Sequence, residues 1–201
     1  MTKRNRAKAL ADPTGLKPFD SGGGKSTKQD SKKAAEKIVQ VIIETPKGSR
    51  NKYAFDPDRR VFKLKRVLPA GMAFPYDFGF VPSTRADDGD PVDVLVLMDE
   101  PAFPGCLLEC RLIGIIQGEQ EKQEANKKPK VERNDRVVAI EQRNHSFADI
   151  EHIDDLGHQF VRELEDFFTN YHDLNGEKYR VLGVHGPGQA RKYIKQGIKK
   201  N

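Results

Sequence analysis

Three carboxylates, Asp88, Asp90 and Asp93, fall within six residues and run straight into the apolar stretch Val94, Leu95, Val96 and Leu97. Like charges so close together repel. Wide exposure to water relieves them, as does a hard cation that takes several oxygen ligands, such as Mg²⁺, Mn²⁺ or Ca²⁺. An acidic turn containing glycine is also ordinary punctuation before a strand, so the spacing alone leaves both readings open. An EF-hand does not fit, because Pro91 and Val92 interrupt its alternation of acids.

A turn that presents acids must be held by a rigid strand. The unbroken run 94–97 suits a strand covered on both faces, with Asp93 at its mouth and Asp88 and Asp90 in the turn before it. Residues 38–44, 51–55 and 61–64 read as earlier strands, separated by Pro- and Gly-containing turns. Residues 74–82, rich in Phe and broken by Pro75 and Pro82, pack a core edge or line a cleft. Further strands are expected over 106–117, 136–140 and 179–184, with residues 118–135 between two of them as an exposed charged loop or long hairpin.

From Asp154 the period changes. Leu156, Phe160, Leu164, Phe167, Phe168 and Tyr171 recur every three or four residues, which predicts an amphipathic helix starting near Asp154 and Asp155. A second helix is expected over 187–198, with Ala190, Tyr193, Ile194 and Ile198 inward. The fold class expected is mainly β with α: an OB-like, five-stranded antiparallel barrel with two packed C-terminal helices.

Charge is unevenly spread. Residues 1–37 carry ten Lys/Arg against four Asp/Glu, whereas the other 164 residues carry 25 against 26, so the net +5 belongs to the N-terminal arm. That arm holds too little apolar surface to offset its ordering entropy and is expected as a disordered, solvated extension. The near-neutral core domain argues against nucleic acid as a partner. No apolar run approaches the roughly 18 residues of a membrane span, nothing resembles a signal or transit peptide, and a cytoplasmic location is expected. Cys106 and Cys110, the only two cysteines, are expected as reduced thiols. Gly22 to Thr27 is no P-loop, since Phe19 stands where its first glycine belongs, and neither HExxH nor GxSxG is present, so no covalent phosphoenzyme is suggested.

The DxDPxD arrangement of Asp88, Asp90, Pro91 and Asp93 resembles the motif of the soluble, family I inorganic pyrophosphatases. Its flanks are similar too: Glu44-Thr45-Pro46, Lys52-Tyr53, Arg66, and Phe167 to Leu174 on the long helix, in family order over residues 38–200. The resemblance implies Mg²⁺-dependent hydrolysis of pyrophosphate, with Mn²⁺ or Zn²⁺ as substitute ions and self-association to a dimer or hexamer. It assigns Asp88 and Asp93 to metal, Asp93 bridging two ions about 3.5–4 Å apart, and Asp90 to the attacking water. It gives Lys52, Arg66, Arg136 and Tyr171 to phosphate oxygens and Glu44 to an outer position.

Several family residues are replaced. Ala54 stands for a Glu, Phe74 and Phe78 for tyrosines, Asn134 for a metal-binding Asp, and His172 for a Lys. Asp135, one residue off, is the acid expected to complete the metal site, with Glu119 and Glu121 as neighbouring candidates. Two classes therefore stay open: a divergent enzyme, or a weakly active or inactive relative that binds metal, phosphate compounds or a partner.

Overall fold

The computed structural model describes residues 15–19, 38–122, 130–174 and 176–200. Nine strands are present among them: β1 (Ile38–Thr45), β2 (Asn51–Asp56), β3 (Val61–Val67), β4 (Asp77–Val81), β5 (Val92–Leu97), β6 (Leu107–Lys122), β7 (Lys130–Arg133), β8 (Arg136–Glu141) and β9 (Lys178–His185). Two helices follow late in the chain, α1 (Gly157–Asp173) and α2 (Pro187–Lys200).

Five of the strands close a ring in the order β1-β4-β5-β8-β6, with β6 returning to β1. Four of the five pairings are antiparallel. The fifth, β5 with β8, is parallel and refines the expected all-antiparallel barrel; β6 turns back antiparallel into β8, so β8 arrives beside β5 running in the same direction. Burial explains the composition of these strands. Every residue of β4 and β8 is buried, as is all of β5 except half-buried Asp93, which is why they read as continuous apolar runs rather than alternating ones. Gly79 on β4 is required by close approach, because a Cβ there would strike the Ile42 carbonyl of β1.

One core cluster fills the ring around Val41, Ile43, Val94, Ile115 and Val137 and is covered by Ala190 and Ile194 of α2. A second lies outside it, between Leu95, Ile113 and Val138 and the Leu164, Phe168 and Tyr171 stripe of α1. The helix begins later than its acids suggested. Asp155 instead accepts the amides of His152 (2.8 Å) and Glu151 (3.0 Å) in a short 3₁₀ turn, Ile153–Leu156, that leads into α1. On α2, Ile198 is exposed rather than inward, and Gly197 takes the contact with Val92 and Thr84.

Two expectations are sharpened. Of the two forms expected for 118–135, the long hairpin is present, but it is not wholly exposed: β6 continues to Lys122, β7 pairs with it, and Gln120, Asn134 and Asp135 are buried. Pairing with β9 along the other edge of β6 supplies the hydrogen bonds that carry so polar a sequence as strand; residues 123–129 lie outside the described residues. The N-terminal arm also touches the barrel. Phe19 bridges Val39 and packs against the inner cluster, Gln40 N–H donates to the Pro18 carbonyl at 2.9 Å, and Ser83 Oγ donates to the Leu16 carbonyl at 2.8 Å. The rest of the expected disordered arm, residues 1–14 and 20–37, lies outside the described residues.

Candidate active site

A cleft of about 520 Å³ opens at one end of the ring, lined on its acidic side by Glu44, Asp88, Asp90 and Asp93. Glu44 stands on β1, and the three aspartates owe their placement to the β4–β5 connection. Thr84 Oγ1, buried, donates to the Val81 carbonyl at 2.6 Å and accepts the Val92 amide at 3.0 Å, clamping the two ends of the loop. Within it Gly89 takes φ +92°, a left-handed turn that an L side chain would strain, and Asp88 Oδ1 accepts the Asp90 amide at 3.1 Å. Asp88 and Asp90 therefore stand at the rim and Asp93 at the floor.

The cationic side comes from three other elements. Lys52 on β2 and Arg66 on β3 are direct cross-strand partners, an arrangement of like charges that a hairpin forms against its own repulsion. Lys52 Nζ rests 4.3 Å from the Phe78 ring centroid and 5.5 Å from that of Tyr171. The Arg66 guanidinium lies 5.5 Å over Tyr171 from the hairpin side. Thr45 and Glu44 tie this hairpin to the barrel: the Thr45 hydroxyl accepts the Tyr53 amide at 3.0 Å, and Glu44 Oε1 accepts the Phe55 amide at 2.7 Å.

Arg136 enters from β8, buried, its guanidinium 3.9 Å above the Phe168 ring and 4.9 Å from that of Tyr179. It donates through Nη1 to the Asn134 carbonyl at 3.1 Å, and its Nη2 lies 3.1 Å from His172 Nε2. Arg66 Nη1 and Arg136 Nε are buried without a hydrogen-bond partner among the described residues. Such orphaned donors beside a cleft favour an incoming anion.

Electrostatics divide the cleft in the same way. Burial pushes the Asp93 carboxyl up to about 7, against the opposing pull of Lys52 and Arg136. Burial likewise raises Glu44, more than the Phe55 amide and Lys52 lower it. These are carboxylates short of positive charge. The donor set, all carboxylate oxygen, fits a hard divalent cation better than a thiophilic one. Among the described residues no three acidic, His or Cys side chains already converge on one point. A Mg²⁺ here would complete its shell with water and phosphate oxygens, as that ion commonly does.

Eight of the nine residues singled out from the sequence, Glu44, Lys52, Arg66, Asp88, Asp90, Asp93, Arg136 and Tyr171, line this one cleft. Asp135 does not. Alternation along the chain turns Asn134 and Arg136 into the cleft and Asp135 away from it. Its carboxylate is occupied by Arg133 (2.8 and 2.9 Å) and by the Gly118 amide (3.0 Å). Glu119 is likewise spent on Arg180, 3.1 Å from its Nε. Gln120 and Glu177 also line the cleft and were not anticipated. Gln120 accepts the Asn134 side-chain amide at 2.5 Å. Extending the strand period of β6 past Gln117 is the signal that reaches Gln120; nothing local marks Glu177.

The chain is similar to known proteins over most of its length. Residues 41–201 match the family model described as inorganic pyrophosphatase. The chain is 35% identical over 162 residues to the inorganic pyrophosphatase of Nostoc sp., covering 81% of this chain and 90% of that protein. It is 38% identical over 152 residues to that of Thermus thermophilus, covering 76% and 82%. The crystal structure of the Thermus thermophilus inorganic pyrophosphatase superposes with a TM-score of 0.73 at 31% identity, covering 92% of this chain and 98% of that one. For the Neisseria gonorrhoeae inorganic pyrophosphatase the TM-score is 0.76 at 27% identity, covering 94% and 97%. With a family match over most of its length and relatives above 30% identity across three quarters of it, the chain belongs to the inorganic pyrophosphatase family.

Proposed function

We propose that this protein hydrolyses inorganic pyrophosphate to two orthophosphates, using Mg²⁺, with Mn²⁺ or Zn²⁺ as substitutes. The observation that carries the reading is the confrontation, across one cleft, of an acidic wall with Lys52, Arg66 and Arg136. A polyanion that arrives with divalent cations satisfies both walls at once, whereas a simple anion or a cation satisfies only one.

Asp88 and Asp93 would hold the metal, which when bound neutralises phosphate charge and makes water a stronger nucleophile. Asp90, at the exposed rim, takes the proton from the attacking water as the new P–O bond forms and the bridging P–O bond breaks. Lys52, Arg66 and Arg136 pair with non-bridging oxygens and spread the charge of the transition state. Tyr171, in the last turn of α1, donates its hydroxyl to the departing phosphate. Glu44 holds the Phe55 amide and so keeps the Lys52 hairpin over the acids.

The departures at Ala54, Phe74 and Phe78 remove polar groups but leave the two walls in place. Phe74 and Phe78 are buried and serve as the platform for Lys52. Among the described residues no helix is long and apolar enough to cross a membrane. A cytoplasmic setting and self-association to a dimer or hexamer complete the reading, the latter read out by sedimentation.

The test is direct. Purified protein with Mg²⁺ and pyrophosphate releases orthophosphate; no release with Mg²⁺, Mn²⁺ or Zn²⁺ overturns the proposal.

A further inference from the structure

His172 replaces a family lysine, yet it does not point a charge into the cleft. Its ring is 3% exposed and stacks on Tyr179, centroids 4.9 Å apart at 9°. Its Nδ1 lies 2.9 Å from Glu177 Oε2, and its Nε2 lies 3.1 Å from Arg136 Nη2. A guanidinium has no acceptor, so Nε2 must be the acceptor in that contact and the ring proton must sit on Nδ1, where a carboxylate receives it. The chemistry of the two neighbours thereby specifies one tautomer.

We infer that His172 is a positioning residue for substrate binding: its neutral Nδ1–H tautomer, fixed by Glu177, holds the Arg136 guanidinium over Phe168 and aimed at a phosphate. The inference rests on the proposed hydrolysis of pyrophosphate. Each of the two outer nitrogens of Arg136 is then anchored, Nη1 by the Asn134 carbonyl and Nη2 by His172. The remaining N–H groups are left for the substrate in a fixed plane. Preorganising a cation in this way removes an ordering cost that a free lysine pays at each binding event.

The groups facing the ring are consistent with neutrality. Arg136 approaches from β8, Glu177 from the turn after α1, the Tyr179 face from β9 and Lys52 more distantly from β2. Burial, reinforced by Arg136 and opposed by Glu177, lowers the imidazole to about 4. At neutral pH the acceptor on Nε2 is therefore intact.

The test combines ¹⁵N NMR of the imidazoles with steady-state kinetics on full-length protein. In the free protein at pH 7, His172 is expected as the Nδ1–H tautomer, with Glu177→Ala admitting the Nε2–H form. His172→Ala is expected to raise KM for Mg-pyrophosphate about tenfold with kcat changed less than about threefold, the size of one lost hydrogen bond to a charged group. His172→Gln, whose amide oxygen can accept from Arg136, is expected to recover most of that loss. A charged or Nε2–H ring in the wild type overturns the inference. So do Ala and Gln variants that behave alike in KM, because a purely structural role would lower melting temperature without separating them. If the wild type turns over no pyrophosphate, the substrate-binding role falls with the functional reading, whereas a charged or Nε2–H ring overturns the inference by itself, since the tautomer and its response to Glu177→Ala are read without substrate.

Discussion

The two walls of the cleft are built by opposite means. Apart from Glu44 on β1, the acidic wall is local: six residues from the β4–β5 loop into β5, with Asp88 and Asp90 at the rim and the Asp90 amide donating to Asp88. The cationic wall is assembled from β2, β3, β8 and the end of α1; its charges lie on aromatic faces, and Arg136 also meets the neutral His172. A loop can present carboxylates because water and incoming cations stabilise them there. Buried guanidinium groups need aromatic faces and neutral acceptors, and those are far apart in sequence.

The sharpest way to break this contrast is to neutralise the exposed acid. Asp90→Asn is expected to reduce pyrophosphate turnover about 10²- to 10⁴-fold while the melting temperature stays within a degree or two, the range for loss of a general base at an exposed position. A variant as active as the wild type removes Asp90 from the mechanism. A smaller change probes the amide pair facing the acids. Asn134→Asp adds a carboxylate where Gln120 can turn its NH₂ towards it, and is expected to lower the apparent Mg²⁺ constant about tenfold, measured from activity against free Mg²⁺.

The pH dependence of stability separates the walls by sign. Burial holds the Asp93 carboxyl near 7 in the folded state against an ordinary 3.8, so the folded state holds more protons between those values. Its stabilising contribution is present at low pH and lost as pH rises towards 7. His172 titrates near 4 folded against 6.5, so the folded state holds fewer protons there. Its contribution is present above 6.5 and lost as pH falls towards 4. In chelator, Asp93→Asn is expected to gain stability over wild type as pH rises from 4 to 7, and His172→Gln to gain as pH falls from 6.5 to 4. Urea melts across that range measure both; parallel curves for mutant and wild type would contradict the assignment.

The smallest effect concerns the N-terminus. Phe19→Ala is expected to cost about 1–2 kcal/mol, because its ring packs on the inner core cluster. Deleting residues 1–14 is expected to leave the melting temperature unchanged. Equal effects from the two would show that Phe19 is not the point of attachment.

Much of this was legible from residues alone. Asp88, Asp90 and Asp93 announce themselves by spacing, the buried strands by unbroken Val, Ile and Leu, and α1 by its Leu164, Phe168, Tyr171 stripe, because each signal is carried within one element. Lys52 and Arg66 needed the family resemblance, since nothing local says that a hairpin will place two cations opposite one another. Asp135 was misplaced because a one-residue offset along an extended chain reverses a side chain's face, and only the register of β6 on β8 decides which face meets the cleft.

What sequence determined, then, was the acidic half of the site and the elements that carry it. Tertiary structure alone decided the other half: that β6 runs on through polar Gln117 to Lys122, bringing Gln120 to Asn134, and that Glu177, His172 and Arg136 meet in a line. The physical reason is the range of the interactions. Repulsion among clustered carboxylates acts over a few residues, whereas a buried cation is satisfied by whichever aromatic faces and acceptors the closed ring of strands brings to it.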